Sequence, residues 1–273
     1  MVRVMALELT SVIFMNRSAE LFMTRYAAVL FDLDGVITQT ADVHAAAWKR
    51  LFDEYLRKLA EHAGTQFTPF DTDRDYHLYV DGRSRHEGVK SFLGSRGIVL
   101  PQGLPQDGPE QETLYGFGNR KDRYFEVQIR TAGVAVYPST VRCIHLAKAS
   151  GLKTAVVSAS HHCQEIIESV GLTQLLNVRV DGYEIERMHL SGKPSPDAFL
   201  EASRRLGVTP SQAIVIEDAQ SGVQAGRAGG FGLVIGVNRA NQAEALRRHG
   251  ADIVVDDLAE LLPADDGREA RHS

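Results

Sequence analysis

Short apolar runs recur along the chain and alternate with segments of helical character. Six of these runs have the length and composition of strands, at 26–31, 152–158, 177–182, 213–218, 231–237 and 251–255. Polar residues do not alternate with apolar ones inside the runs, which is typical of strands covered on both faces of a parallel sheet. The pattern therefore predicts an α/β protein with a doubly wound, Rossmann-like parallel sheet.

Helical patterns fill the intervals between the predicted strands. They are clearest over 161–171, 195–207 and 221–230, and the second of them ends at Gly207. Glycine is favoured at such an end because it readily adopts the left-handed backbone conformation that terminates many helices. Strands that alternate with helices in this way predict βαβ units.

One long interval, from Val43 to about Thr131, contains no apolar run of the strand type. It holds two helical patterns, at 44–64 and 84–97. Two loops rich in Pro and Gly follow them, at 64–75 and 97–118. A helical interval that follows the first strand predicts a lobe inserted into the sheet domain. We assign residues 42–133 to this lobe.

The predicted core domain comprises residues 24–41 and 134–262. Residues 1–23 mix apolar with charged side chains and lack a long hydrophobic region, so a secretory signal is not predicted. They form either a loosely attached extension or a stretch upstream of a true start near Met23. Residues 263–273 are polar and aperiodic, which predicts a flexible tail.

Composition narrows the classes of partner. With 30 basic and 35 acidic residues among 273, the formal net charge is −5, which gives no electrostatic support for binding nucleic acid. No stretch approaches the roughly 18 to 20 apolar residues of a membrane span. Cys143 and Cys163 are the only cysteines, as expected in a reducing compartment. We therefore expect a cytoplasmic protein, acting as a monomer on a small molecule.

Carboxylates are concentrated at the ends of two predicted strands. Asp32 and Asp34 follow the first strand two residues apart, and Glu217 and Asp218 end the strand at 213–218. Side chains at i and i+2 of an emerging strand point the same way, so these groups converge at the carboxyl edge of the sheet, where open α/β folds bind ligands. Converging carboxylates require protons or a cation, and Mg²⁺ is the natural hard cation for oxygen ligands.

Each of these residues also has an ordinary structural explanation. A D-x-D sequence after a strand is often a turn or a helix cap, because aspartate bonds to nearby backbone there. Lys193 alone would be a solvated lysine, and Ser158 alone could be a helix N-cap. Because they occur together, each near a predicted strand end or loop at the same edge, a functional site is the better interpretation.

Four segments in the same order resemble the motifs of the haloacid dehalogenase superfamily: "FDLDGVIT", "VVSAS", "GKPSPDAF" and "VIEDAQSGVQAG". The resemblance covers the core from about residue 26 to 260 and implies that the inserted lobe is a helical cap. Within the superfamily, "GVITQTADVHAAAWK", "VDGRSRHEGVKSFL" and "GNRKDRYF" are similar to the β-phosphoglucomutase branch.

The resemblance implies roles for the core residues. Asp32 would be the nucleophile that forms an aspartyl phosphate, and Asp34 the general acid and base. Mg²⁺ would be held by the Asp32 side chain, the Asp34 backbone carbonyl, and Glu217 or Asp218. The remaining core residues would bind the phosphate oxygens in transfer: Ser158, Ala159 and Lys193.

The resemblance also implies that residues of the lobe read the sugar and the second phosphate: His44, Trp48, Gly82, Arg83, Arg85 and Lys121. A histidine at the position of His44 helps to relay cap closure to the general acid, and an arginine such as Arg85 suits a bidentate grip on phosphate. Arg120 is an alternative to Lys121, and core packing is an alternative for Trp48.

This chain departs from the pattern of the family it resembles in two motifs and in the loops around 60–75 and 97–118, which are longer than in compact members. Asp81 stands where mutases often have a lysine before the glycine of the arginine loop, and two histidines, His161 and His162, follow "SAS" where a basic residue and asparagine are common. Three functions remain open at this point: a β-phosphoglucomutase, a Mg²⁺-dependent sugar-phosphate phosphatase, and a sugar-phosphate binder without catalysis. The pair Asp32 and Asp34 argues against the third, because binding alone requires no such pair.

Overall fold

A parallel sheet of six strands forms the centre of residues 25–263, the part of the chain that the computed structural model describes. The strands in chain order are β1 (Ala28–Phe31), β2 (Lys153–Val157), β3 (Val178–Val180), β4 (Ala213–Glu217), β5 (Leu233–Val237) and β6 (Ile253–Val255). Each lies inside one of the predicted apolar runs, so the predicted sheet is confirmed. The predicted extension at 1–23 and nearly all of the predicted tail at 263–273 lie outside the described residues.

The strand order β3-β2-β1-β4-β5-β6 places β1 in the interior of the sheet. Phe31, the last residue of β1, is in register with Val156 of β2 and with Ile216 of β4. The next residue, Asp32, still donates its N–H to the Ile216 carbonyl at 3.0 Å. The residues that follow β1, β2 and β4 therefore emerge side by side at the carboxyl edge.

The α-helices of the described residues are α1 (Ala41–Ala63), α2 (Arg85–Ser95), α3 (Leu114–Ala132), α4 (Pro138–Ala149), α5 (Cys163–Ser169), α6 (Gly182–Arg187), α7 (Asp197–Leu206), α8 (Gln220–Ala228) and α9 (Ala243–His249). A π-helical turn spans Tyr76–Val80, and 3₁₀ turns span Thr173–Leu175, Pro210–Gln212 and Leu258–Leu261. Gly207 ends α7 in the left-handed conformation, as predicted. The loop predicted at 97–118 is wrong over its last five residues, because α3 begins at Leu114.

The sheet is buried between two apolar layers. Alternate residues of β1 point to opposite faces: Val29 and Phe31 belong to one buried cluster, while Ala28 and Leu30 belong to the other. Complete burial of a Val, Leu or Phe side chain contributes about 1.5–3 kcal/mol to the free energy of unfolding. Because β1 is packed on both faces, the backbone that carries Asp32 is held firmly in place.

The inserted lobe, α1 to α3 with the π turn, has an apolar cluster of its own. Trp48 and Phe52 of α1 pack there with Phe92 of α2 and Phe117 of α3. Two chain segments join the lobe to the sheet, and they pair with each other through an antiparallel bridge between Thr38 and Val136. Among the described residues, no helix is both long and apolar enough to cross a membrane.

Candidate active site

The carboxylate of Asp32 lies against a buried lysine. Lys193 Nζ is 2.5 Å from Asp32 Oδ1 and 2.5 Å from Glu217 Oε1, so one ammonium group bridges the ends of β1 and β4. Burial acts to lower the pKa of Lys193, but the two carboxylates outweigh it and raise the pKa above its ordinary value. Burial and the nearby Glu217 raise the pKa of Asp32 well above its ordinary value. Lys193 is therefore a permanent cation at the predicted nucleophile.

Three carboxylates form a group that can hold a metal ion. Oxygens of Asp32, Glu217 and Asp218 lie within 4.8 Å of one another, and all three residues are buried. Burial and the charges of Asp81 and Asp32 raise the pKa of Asp218 well above its ordinary value. A single lysine cannot neutralise three carboxylates, and oxygen-only ligands suit Mg²⁺. The residues present therefore fit a divalent cation.

Two glycines leave room for these carboxylates. A Cβ atom on Gly35 would lie 1.8 Å from Asp218 Oδ2, and one on Gly222 would lie 1.8 Å from Glu217 Oε1. Gly35 also has a φ of +85°, a conformation that glycine adopts at little cost. The turn after β1 and the start of α8 thus depend on glycine to bring the backbone close to the acidic group.

Asp34 points away from this group, towards the lobe. Its Oδ1 accepts a hydrogen bond from Thr40 Oγ1 at 2.5 Å and lies 3.1 Å from His44 Nε2. Lys121 Nζ lies 2.5 Å from His44 Nδ1, and the imidazole stacks on Phe125 with ring centroids 3.9 Å apart. Because the ammonium can only donate, Nδ1 accepts and Nε2 carries the hydrogen that is donated to Asp34.

Burial and neighbouring charges shift the pKa values of the three residues in this hydrogen-bonded series: Asp34, His44 and Lys121. Burial acts to raise the pKa of Asp34, but interaction with His44 and the hydrogen bond from Thr40 lower it to about 2. Burial and the Lys121 charge lower the pKa of His44. Burial lowers the pKa of Lys121 to about 8. The lobe therefore places a lysine that titrates near neutral pH beside a histidine that contacts the predicted acid and base.

A second set of contacts joins the lobe to the loop after β2. Arg85 Nη1 lies 3.0 Å from Asp122 Oδ2 and 3.0 Å from His161 Nδ1. His161 Nε2 lies 3.0 Å from Glu186 Oε1, and His162 Nε2 lies 3.3 Å from Asp122 Oδ1. Arg85 Nε is buried without a hydrogen-bond partner in the described structure. The guanidinium thus retains an unused donor at the cavity.

The structure brings most of the predicted site residues to one cavity. The predicted residues that line it are Asp32, Asp34, His44, Trp48, Gly82, Arg83, Arg85, Lys121, Ser158, Ala159 and Asp218. Lys193 and Glu217 are absent from this lining and contact Asp32 as described above. Among the described residues, the group of carboxylates that can hold a metal ion does not include the side chain of Asp34, and the metal role predicted for its backbone carbonyl stays a prediction.

The sequence leaves two assignments open: whether Arg120 or Lys121 faces the cavity, and whether Trp48 belongs to the cavity or to the apolar packing of the lobe. Arg120 donates from Nε to the Pro109 carbonyl at 2.5 Å and does not line the cavity, whereas Lys121 does. Trp48 lines the cavity and also stacks on Phe52, with ring centroids 5.3 Å apart. Its indole therefore serves the apolar cluster of the lobe and the cavity wall at once.

Several residues of the cavity were not among the predicted site residues. Tyr76, Asp81, Asp122 and His161 all line it. The contact between Arg85 and Asp122 spans 37 positions of the chain, so no local spacing could indicate it. The two histidines after "SAS" depart from the family pattern, and the position of His161 directly after a motif strand is the sequence signal that points to it.

The fold and the site together are those of an α/β phosphotransferase: Asp32 after the interior strand, its partner Lys193 and the three carboxylates that can hold a metal ion meet at one edge of the sheet. A family model described as haloacid dehalogenase-like hydrolase matches residues 26–230. The chain belongs to this family, the haloacid dehalogenase superfamily, and within it to the β-phosphoglucomutase-like branch.

Two β-phosphoglucomutases are among the proteins similar to this chain in sequence. That of Mycobacterium tuberculosis (strain CDC 1551 / Oshkosh) is 51% identical over 238 residues, which cover 86% of this chain and 91% of that protein. That of Bacillus subtilis (strain 168) is 30% identical over 235 residues, covering 86% and 91%. The crystal structure of β-phosphoglucomutase from Clostridium difficile matches with a TM-score of 0.65 and 26% identity, covering 86% and 93% of the two chains.

Proposed function

We propose that this protein is a β-phosphoglucomutase, which interconverts β-glucose 1-phosphate and glucose 6-phosphate through glucose 1,6-bisphosphate. One observation carries the proposal: two cationic side chains contact residues that line the same cavity, at two separate places. Lys193 contacts Asp32, and Arg85 contacts His161. A mutase must hold one phosphate while the other reacts, whereas hydrolysis of a monophosphate needs a single phosphate site. The 51% identity to a mycobacterial β-phosphoglucomutase supports the same activity.

In the first half-reaction, the phosphoryl group on Asp32 passes to the 6-hydroxyl of β-glucose 1-phosphate. Asp34 accepts the hydroxyl proton as the new P–O bond forms and the acyl phosphate P–O bond breaks. Lys193 and the residues Ser158 and Ala159 stabilise the charge on the equatorial phosphoryl oxygens. Arg85 and Lys121 hold the 1-phosphate, which does not react in this step.

In the second half-reaction, the bisphosphate presents its 1-phosphate to Asp32. The Asp32 carboxylate attacks phosphorus, the bond to O1 breaks, and Asp34 returns its proton to O1, so that glucose 6-phosphate leaves and the aspartyl phosphate is regenerated. We propose that Mg²⁺ is held by Asp32, Asp218, the Asp34 backbone carbonyl and Glu217, and it would reduce the repulsion between the carboxylate and the phosphate. Lys193 holds the Asp32 and Glu217 side chains in place.

We further propose that residues 42–133 act as a cap that closes over the core of residues 24–41 and 134–262. His44 of the lobe contacts Asp34 of the core, so closure and alignment of the acid and base are coupled through one hydrogen bond. Closure would also exclude the water that would hydrolyse the aspartyl phosphate. Small-angle scattering with and without substrate plus a phosphoryl mimic should report compaction of a monomer.

The deciding experiment compares two products of one reaction. β-Glucose 1-phosphate, primed with glucose 1,6-bisphosphate and Mg²⁺, is assayed through glucose 6-phosphate dehydrogenase beside a measurement of free phosphate, with the α anomer as control. We expect dehydrogenase signal with the β anomer alone and little free phosphate. Phosphate release without glucose 6-phosphate would establish the phosphatase alternative. If neither product formed, the protein would be a sugar-phosphate binder without catalysis.

A further inference from the structure

Asp81 is a carboxylate of the lobe that the proposed reaction does not use. It follows the π-helical turn Tyr76–Val80, lines the cavity and is only 8% exposed. Its N–H donates to the Tyr76 carbonyl at 3.0 Å, and its own carbonyl accepts from Ser221 Oγ of the core at 2.8 Å. The backbone of Asp81 is therefore fixed from the lobe and from the core.

The side chain of Asp81 is oriented through one of its two oxygens. Oδ2 lies 2.8 Å from His77 Nδ1, one helical turn earlier on the π turn. Burial acts to lower the pKa of His77, but its hydrogen bond with Asp81 and the charges of Asp81 and Asp73 raise it. In residues 25–263, no hydrogen bond engages the other oxygen, Oδ1. The arrangement leaves one oriented acceptor on a residue of the cavity wall.

This carboxylate does not stabilise the acidic group beside it. Its charge raises the pKa of Asp218, which means that the two carboxylates repel each other. It is also outside the set of oxygens that can hold a metal ion, which consists of Asp32, Glu217 and Asp218. An acceptor oxygen without a protein donor is available to a donor of the ligand, and the carboxylate repels phosphate and carboxylate groups. Among the groups of a phosphorylated sugar, a neutral ring hydroxyl meets both conditions.

We propose that Asp81, oriented by His77, determines substrate specificity by accepting a hydrogen bond from one ring hydroxyl of the sugar phosphate. The proposal rests on the proposed function, because it takes the substrate to be a phosphorylated sugar. The site would then favour a neutral ring that carries this hydroxyl and would reject rings that lack it or carry an acid there. A site that bonds a substrate hydroxyl discriminates strongly because its polar group is otherwise left unpaired.

The test is a cycle between enzyme variants and deoxygenated substrates. Wild-type protein and Asp81→Ala, which lacks the acceptor, are assayed with β-glucose 1-phosphate and with its 2-deoxy, 3-deoxy and 4-deoxy analogues. We expect one analogue to lose on the order of tenfold to a hundredfold in kcat/KM with wild type, the effect of one charged hydrogen bond. That loss should largely disappear in Asp81→Ala, whose penalty with the parent sugar should be of the same size. His77→Gln should reduce the same discrimination partly.

Glu61→Ala is the control, since Glu61 is an exposed carboxylate of α1 that does not line the cavity. It should leave every penalty at the wild-type value. Penalties that stay unchanged in Asp81→Ala at all three positions would overturn the proposal, as would an increased requirement for Mg²⁺ as the sole effect. Failure of the proposed function is recognised separately: if wild type releases phosphate instead of forming glucose 6-phosphate, the same cycle is run with phosphate as the readout.

Discussion

His44 Nε2 lies 3.1 Å from Asp34 Oδ1, so a side chain of the inserted lobe contacts the carboxylate that follows the interior strand. The contact crosses the boundary between the lobe and the sheet, and Lys121 extends it by holding His44 Nδ1. A movement of the lobe that separates His44 from Asp34 would break this hydrogen bond, whereas the hydrogen bond from Thr40 to Asp34 lies within the core. We therefore predict that the position of the lobe affects the charge and orientation of Asp34.

His44→Gln should lower kcat by roughly tenfold to a hundredfold, within the range of one acid–base contact, and should change KM less. Removal of the imidazole leaves burial to raise the pKa of Asp34, so the acid limb of the pH profile should move to higher pH. Steady-state kinetics across pH measure both effects. His62→Gln, on the same helix but bonded to the Lys58 carbonyl, is the control and should behave as wild type.

Lys121 should impose an alkaline limb on kcat/KM. Its pKa is lowered by burial to about 8, so the cation that we propose for substrate binding is lost as pH rises through that value. Lys121→Arg keeps the charge at all these pH values and should remove the limb. Lys90→Arg, at an exposed position of α2, should retain it. A limb that persists in Lys121→Arg would assign it to another group.

Asp32→Asn should fold normally and lose more than roughly a thousandfold in turnover, because an amide does not attack phosphorus. The variant also frees Lys193 from one of its two carboxylates, so we expect a change in thermal stability as well. Circular dichroism and the coupled assay measure the two effects. Turnover near that of wild type in a folded variant would contradict the assignment of Asp32 as nucleophile.

Chelation should abolish activity, and added Mg²⁺ should restore it. Asp218→Asn removes one of the three carboxylates that we propose as Mg²⁺ ligands, so the Mg²⁺ concentration for half-maximal activity should rise by roughly tenfold or more. Thermal unfolding with and without Mg²⁺ gives a readout besides activity, since a bound ion stabilises the folded state. Asp256→Asn, exposed after β6, should show the wild-type Mg²⁺ response. Full activity in excess chelator would refute the metal proposal.

Gly35→Ala should reduce both stability and the response to Mg²⁺. The added methyl group would overlap the Asp218 carboxylate, and the left-handed backbone costs about 1–2 kcal/mol for an L-residue. Gly151→Ala provides the matched control, because Gly151 has a similar φ of +80° with nothing within 4 Å of the added Cβ. We expect similar strain in both variants and loss of the Mg²⁺ response in Gly35→Ala alone.

Local pattern was sufficient to predict the sheet. The apolar runs around Phe31 and Ile216 fall on β1 and β4 because a strand buried on both faces has no polar positions to interrupt it. The same reasoning predicts that Asp32, Glu217 and Asp218 meet, since parallel strands end at one edge. Its expectation that Asp34 joins them is wrong, because the turn after β1 directs the Asp34 carboxylate to Thr40 and His44. The sequence pattern does not predict the lobe in equal detail. It predicts a loop at the start of α3, Leu114, because Pro and Gly residues precede it closely.

Contacts between distant segments explain what the sequence left open. Arg85 meets His161 across 76 positions of the chain, and Lys121 meets His44 across 77. Neither pairing has a spacing signature, because both depend on how the lobe sits on the sheet. The sequence also does not predict the π turn that places His77 beside Asp81, because the turn spans only five residues, Tyr76–Val80, and hydrophobic periodicity does not distinguish it from an α-helical turn.

The separate apolar cluster of the lobe has a consequence for how this protein can change over generations. Replacement of Phe52 or Phe92 alters packing within the lobe, whereas Phe31 and Ile216 support the nucleophile from a different cluster. Mutations confined to the Phe52 and Phe92 cluster can therefore reshape the lobe without altering the packing of the strands that carry Asp32 and Glu217. Ala47 and Phe125 set the limit of this freedom, because they belong to the lobe but pack in the cluster of Phe31, so their replacement would affect both parts.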